Sequence, residues 1–168
     1  EYIRDGLDYA AWIKNVERLI ESKKFRGLHV MSTINALCLD SLDEFLTQVH
    51  DWKTKYGQDS INFSLNILRF PSFQSPLVLP DNIRTQYREK LSQFYKDHKD
   101  SDVLHGFEIN QLKRLIDYLD VVITPHSGAA EQSVLQKDFK QFYTQYDQRR
   151  GKDFCNTFPK LADWYKAL

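Results

Sequence analysis

Two apolar-rich segments of the sequence, "GLHVMSTINAL" at 27–37 and "SINFSLNILRF" at 60–70, are separated by a single helical stretch. This arrangement constrains the fold more than any other feature. In the second segment Ile61, Phe63, Leu65 and Ile67 alternate with Asn62, Ser64, Asn66 and Leu68, the period of a strand with two unlike faces. Strand–helix–strand with a crossover of about 20 residues reads as a right-handed parallel βαβ unit. Parallel sheets are ordinarily wide and covered on both faces. Only these two strands are convincing; "YLDVVIT" at 118–124 is a weak third. Two strands alone leave both edges open, so the expected fold is α/β with neighbouring strands supplied from outside this sequence.

The remaining segments read as helices. Tyr9, Trp12, Ile13, Val16, Leu19 and Ile20 share one face of a helix over 6–22. Ser41 and Glu44 form a capping-box pattern before a helix carrying Leu42, Phe45, Leu46, Val49, Trp52 and Tyr56, which Gly57 ends. Asp81 can cap a helix running to about 97, and a further amphipathic helix spans 103–119. "TPHSGAAE" at 124–131 is a linker candidate. It divides the chain into 1–123 and a helical tail at 124–168, whose helices carry Leu135, Phe139, Phe142, Tyr143 and Tyr146, and then Leu161 and Trp164.

Composition narrows the function classes. The 168 residues carry 23 Lys plus Arg and 23 Asp plus Glu, so there is no electrostatic case for nucleic acid or an anionic membrane. Hydrophobic residues make up 42% and suit a packed core. No apolar run approaches the roughly 20 residues that span a bilayer, and no signal peptide is visible. Cys38 and Cys155 form neither a disulfide framework nor a zinc motif, which points to a reducing, cytoplasmic setting. No P-loop, GxGxxG or GxSxG is present, and the five histidines lack metal-ligand spacing.

The first strand ends in small polar residues, Ser32, Thr33 and Asn35. In parallel α/β units, ligands bind at the carboxyl ends of the strands. The alternative is a local one, in which these side chains cap the turn that follows.

Several segments, in order, carry a family likeness. They are "EYIRDGLDYAAWIKNVERL" with Tyr2, Arg4, Gly6, Asn15 and Val16; "HVMSTINALCLDSLDEFL"; "LNILRFPSFQSPLVLPDNIR"; and "YDQRRGKDFCNTFPKLADWY" with Asp147, Arg149, Arg150, Asp153, Phe154, Phe158, Pro159 and Leu161. Together they resemble the C-terminal half of radical SAM proteins of the twitch type found in phage and environmental sequences. The resemblance implies a partial parallel (β/α) barrel with few strands, followed by a helical tail. For the full-length protein it implies S-adenosylmethionine and a 4Fe–4S cluster as cofactors, with reductive SAM cleavage and hydrogen abstraction from an unknown substrate. By position, Arg4 would face the SAM carboxylate, and Ser32 and Asn35 would line the SAM or substrate end of the barrel. The family's cluster-binding CxxxCxxC is not in this sequence and would lie upstream of Glu1. The chain alone is therefore expected to be inactive, its partner being the missing N-terminal half of the barrel or a second copy. The alternative is a non-catalytic α/β binding or assembly domain that pairs its open strand edge.

Overall fold

The computed structural model describes residues 1–121 and 132–168. The linker candidate at 124–131, and with it the boundary between 123 and 124, lies outside the described residues. The chain is mixed α/β and mostly helical. Its elements are α1 (Tyr9–Glu21), β1 (Leu28–Ile34), α2 (Leu42–Tyr56), β2 (Ile61–Ile67), α3 (Asp81–His98), α4 (Gly106–Leu119), α5 (Gln132–Arg150), α6 (Phe154–Thr157) and α7 (Ala162–Ala167).

Among the described residues the sheet has two strands, paired in parallel and in register from Leu28↔Ile61 to Ile34↔Ile67. The expected βαβ unit is present, with α2 as its crossover. Of the weak third strand at 118–124, Tyr118 and Leu119 are the last turn of α4 instead. Both fall at helical spacing from Leu112 and Leu115, and residues 122–124 of the expected strand lie outside the described residues. No helix is long and apolar enough to cross a membrane among the described residues.

Alternation along the strands divides the sheet into two unlike faces. Ile61, Phe63 and Leu65 are fully buried on one face, beside the half-buried Leu28, Val30 and Ser32. That face joins Leu46, Val49 and Trp52 of α2 in a core that runs on without a break into Phe139, Tyr143, Phe154 and Tyr165 of the tail. The helical tail is thus packed into the same core as the strands. Helix α1 lies beside α2: the Trp12 and Trp52 rings are 6.2 Å apart, Trp52 Nε1 donates to Glu17, and Tyr56 donates to Glu21.

Two helix starts differ from the sequence reading. Ser41 makes no side-chain cap; it ends a 3-10 turn, Ala36–Ser41, that runs directly into α2. Asp81 lies one residue inside α3, after Pro80, and pairs with Arg84 on the next turn. Gly57 does end α2, at φ 105°, a backbone state that favours glycine.

Candidate functional site

The two edges of the sheet are finished differently. Leu28 N–H donates to the Ser60 carbonyl, and the Ile34 carbonyl accepts from Leu68 N–H. In a parallel ladder the residues facing the partner alternate. The even-numbered residues of β1 therefore face β2, while His29, Met31 and Thr33 turn their backbone groups outward. Among the described residues these outward groups have no backbone partner; the Thr33 carbonyl accepts only a thiol contact from Cys38, at 3.5 Å. The strand LHVMSTI carries no lysine, carboxylate or proline, the residues that commonly guard an edge.

The outer edge of β2 is closed by side chains. Glu108, in the first turn of α4, accepts the Phe63 N–H at 3.0 Å through Oε1. Arg114, two turns on, donates to the Leu65 carbonyl at 2.8 Å. Helix α4 thus takes up with side chains two of the outward groups that a third strand would pair with backbone, while the Phe63 carbonyl and the Leu65 N–H have no bonded partner among the described residues. Glu108 Oε2 also accepts from His105 N–H at 2.8 Å and from Lys53 Nζ at 2.7 Å. Lys53 donates in addition to Asn62 Oδ1, and both members of the ion pair are wholly excluded from solvent. Two buried charges persist only when paired and hydrogen-bonded, as these are.

The second face of the sheet is polar and only partly covered: Asn62 and Ser64 are half-buried, and the Phe107 ring of α4 lies 6.4 Å from that of His29. This face carries His29, Met31 and Thr33 opposite Asn62, Ser64 and Asn66. His29 Nε2 lies 3.1 Å from Ser64 Oγ, and Met31 is 74% exposed. A face left this open on a parallel sheet is unusual, since crossover helices normally leave neither face to solvent.

The residues singled out from the sequence fall in separate places. Arg4 is exposed on a turn whose backbone bonds to Glu1 and Leu7. Ser32 is half-buried on the helix-covered face, opposite Leu65, while its neighbour Thr33 belongs to the open polar face. Asn35 is buried and acts as a cap: its Oδ1 accepts from Leu37 N–H at 2.9 Å, from Cys38 N–H at 3.1 Å and from the Cys38 thiol at 3.2 Å. No hydrogen bond joins Arg4, Ser32 and Asn35 to one another among the described residues.

The residues present do not fit an iron–sulfur cluster. No group of three or more His, Cys, Asp or Glu is gathered for a metal among the described residues. Burial pushes the Cys38 thiol pKa up, and that thiol is spent as a hydrogen-bond donor. A cluster ligand must be a thiolate.

The motifs at the two ends of the chain, which had carried the family likeness, meet in space. Tyr2 is buried against Tyr146, Phe154 and Phe158, with ring centroids 5.1–6.1 Å away. Its hydroxyl donates to Asp147 Oδ1, while Oδ2 of the same carboxylate accepts Phe154 N–H at 2.8 Å. Lys152 donates to the Tyr2 carbonyl, and Asp5 pairs with Lys152 and Arg150. These residues clamp the segment that enters α1 onto the tail.

Fold and site together define a parallel βαβ unit, closed at β2, open at β1 and backed by a helical C-terminal region. No family model matches the sequence, and neither the curated proteins nor the solved structures contain a chain that matches it.

Lys53, Glu108 and Arg114 were missed in the sequence. Lys53 had left a signal: it falls on the apolar stripe of α2 with Leu42, Leu46 and Val49, where a charged residue needs a buried partner. The partner, 55 positions away, had no local signal.

Proposed function

We propose that this chain is the C-terminal part of a radical SAM enzyme, contributing the last two strands of a partial parallel (β/α) barrel and the helices behind them. The observation that carries the reading, beside the sequence resemblance, is the unequal finishing of the sheet. The β2 edge is sealed by Glu108 and Arg114, as suits a last strand, and the β1 edge is unpaired, as suits a strand with a neighbour before it. In this reading the polar sheet face looks into the barrel. The cluster and its CxxxCxxC belong to the upstream part of the protein, and no chemical step is assigned to Cys38 or Cys155. Arg4 is offered to the SAM carboxylate. Thr33 and Asn66, at the carboxyl ends of the strands on the open face, are the candidates for the barrel mouth, in place of Ser32, which faces the helices, and Asn35, which caps the turn.

The test is the full reading frame, expressed and reconstituted anaerobically with iron and sulfide. The expected result is a CxxxCxxC upstream of Glu1, a reducible cluster, and release of 5′-deoxyadenosine from SAM that is lost when those cysteines become alanine. A full reading frame without CxxxCxxC sinks the enzyme reading. The open edge then favours the second one, an assembly domain that pairs β1 with another copy, visible as a dimer in light scattering.

A further inference from the structure

We propose that the β1 edge is a docking site for one parallel β-strand from an adjoining α/β segment, and that Glu108 and Arg114 bar the same pairing at β2. The proposal rests on the one-sided sheet described above and requires no radical chemistry, so it stands or falls separately from the enzymatic reading.

Three observations select the occupant. The existing pairing is parallel, and a strand added at β1 continues the same ladder through the outward groups of His29, Met31 and Thr33. Helix α1 also lies beside α2 in the helical layer, yet Val16 is its only buried residue, while Tyr9 and Leu19 are 42% and 37% exposed. A helix that leads directly into a parallel strand is a crossover helix, and its apolar stripe is completed by the strand that precedes it. Finally, the edge is unguarded by charge or proline over its whole length, whereas β2 has two charged side chains bonded to its outward backbone groups. A second copy, pairing by two-fold symmetry, would run antiparallel to β1 and would not be the strand that α1 follows.

Amide hydrogen exchange on the full reading frame and on this 168-residue chain tests the first half. The Phe63 amide, bonded to Glu108, is expected to be protected in both. The Met31 amide is expected to exchange freely in the short chain and to be at least about 100-fold slower in the full frame. Met31→Pro removes an outward N–H without touching the β1–β2 ladder. It is expected to leave the circular dichroism of the short chain unchanged and to abolish the protection at His29 and Thr33 in the full frame. A Met31 amide that stays unprotected in the full frame overturns the proposal. So does a dimer of the short chain that Met31→Pro converts to monomer, because the occupant is then a second copy.

The second half is tested in a Met31→Pro background, where β1 cannot pair. Adding Lys53→Met, Glu108→Leu and Arg114→Ala keeps apolar bulk at the buried sites and uncovers the Phe63 N–H and Leu65 carbonyl. Folded triple-substituted protein is expected to self-associate at micromolar concentration in light scattering, with the Met31→Pro parent monomeric. A folded, monomeric triple variant overturns the sealing role. If the triple variant does not fold, Arg114→Ala alone decides: it must raise association above the parent, or the seal is refuted.

Discussion

Glu108 and Lys53 meet at 2.7 Å in a site closed to water on both sides, and the same carboxylate holds the outward Phe63 N–H of the last strand. One side chain therefore neutralises a buried lysine, fixes the start of α4 through His105 N–H, and ends the sheet.

Removing one partner leaves the other charged and buried. Glu108→Ala is expected to destabilise by about 3–5 kcal/mol in guanidinium unfolding. Lys53→Met with Glu108→Leu is expected to recover at least half of that loss, because no charge is stranded. A double variant as unstable as the single one contradicts this account.

Asn35 separates a capping role from a ligand role. Asn35→Ala removes the acceptor for Leu37 and Cys38 N–H and is expected to cost about 1–2 kcal/mol. Asn35→Asp keeps an acceptor there and is expected to stay within about 0.5 kcal/mol of the parent. Thermal or denaturant unfolding of the 168-residue chain, without any ligand, checks both.

Gly27 precedes β1 where a side chain has no room. A Cβ there would stand 2.2 Å from the Asp59 carbonyl oxygen, a backbone atom that cannot swing aside. Gly27→Ala is expected to cost about 1–3 kcal/mol. At Gly106, which starts α4, a Cβ meets nothing within 4 Å. Gly106→Ala is expected to change stability by no more than about 0.5 kcal/mol, both variants being compared with the parent in urea titration.

The clamp at Tyr2 makes stability fall in alkali. Burial first, and then the Asp147 carboxylate, raise the Tyr2 pKa well above its ordinary value near 10. The folded state holds the phenolic proton after the unfolded chain has released it. The contribution is therefore complete below about pH 10 and declines as pH rises toward the folded pKa. Buried Tyr87 and Tyr143 shift in the same direction, chiefly through desolvation. Tyr2→Phe is expected to lower stability at pH 7 by about 1 kcal/mol and to make the decline above pH 10 shallower. Tyrosine absorbance at 295 nm (roughly the phenolate band) followed alongside circular dichroism checks both.

In acid, His98 works in the opposite sense. Burial, and next the neighbouring His50, whose ring centroid is 4.3 Å away, lower its pKa. The unfolded chain takes up this proton first, so stability is expected to drop as pH falls below about 6.5. His98→Gln is expected to flatten that part of a thermal-midpoint profile, and an unchanged slope excludes the pair as its source.

Much of the architecture was legible because it is periodic. Alternation from Ile61 to Ile67 marked β2, although the segment read as strand, 60–70, runs three residues past its end at Ile67, and the stripe from Leu42 to Tyr56 marked α2. Parallel pairing followed from the length of the connection between them. Asn35 was legible only as two alternatives, a cap or a ligand contact, since a polar residue after a strand serves either. The hydrogen bonds to Leu37 and Cys38 show what its Oδ1 does in this chain. Ser32 and Thr33 are adjacent in sequence but on opposite faces, a consequence of strand geometry that the mouth-lining expectation for Ser32 had not used.

By itself, the sequence determined the order of strands and helices, the parallel direction of the pair, and the lack of a cluster motif, because each rests on spacing within a few dozen residues. The tertiary structure alone decided which edge of the sheet is closed. Glu108 and Arg114 reach the Phe63 and Leu65 backbone across 45 and 49 positions, and Tyr2 meets Asp147 across 145. Such contacts have no local period. They form only when the packed core brings α4 to the edge of β2 and the tail to the start of α1.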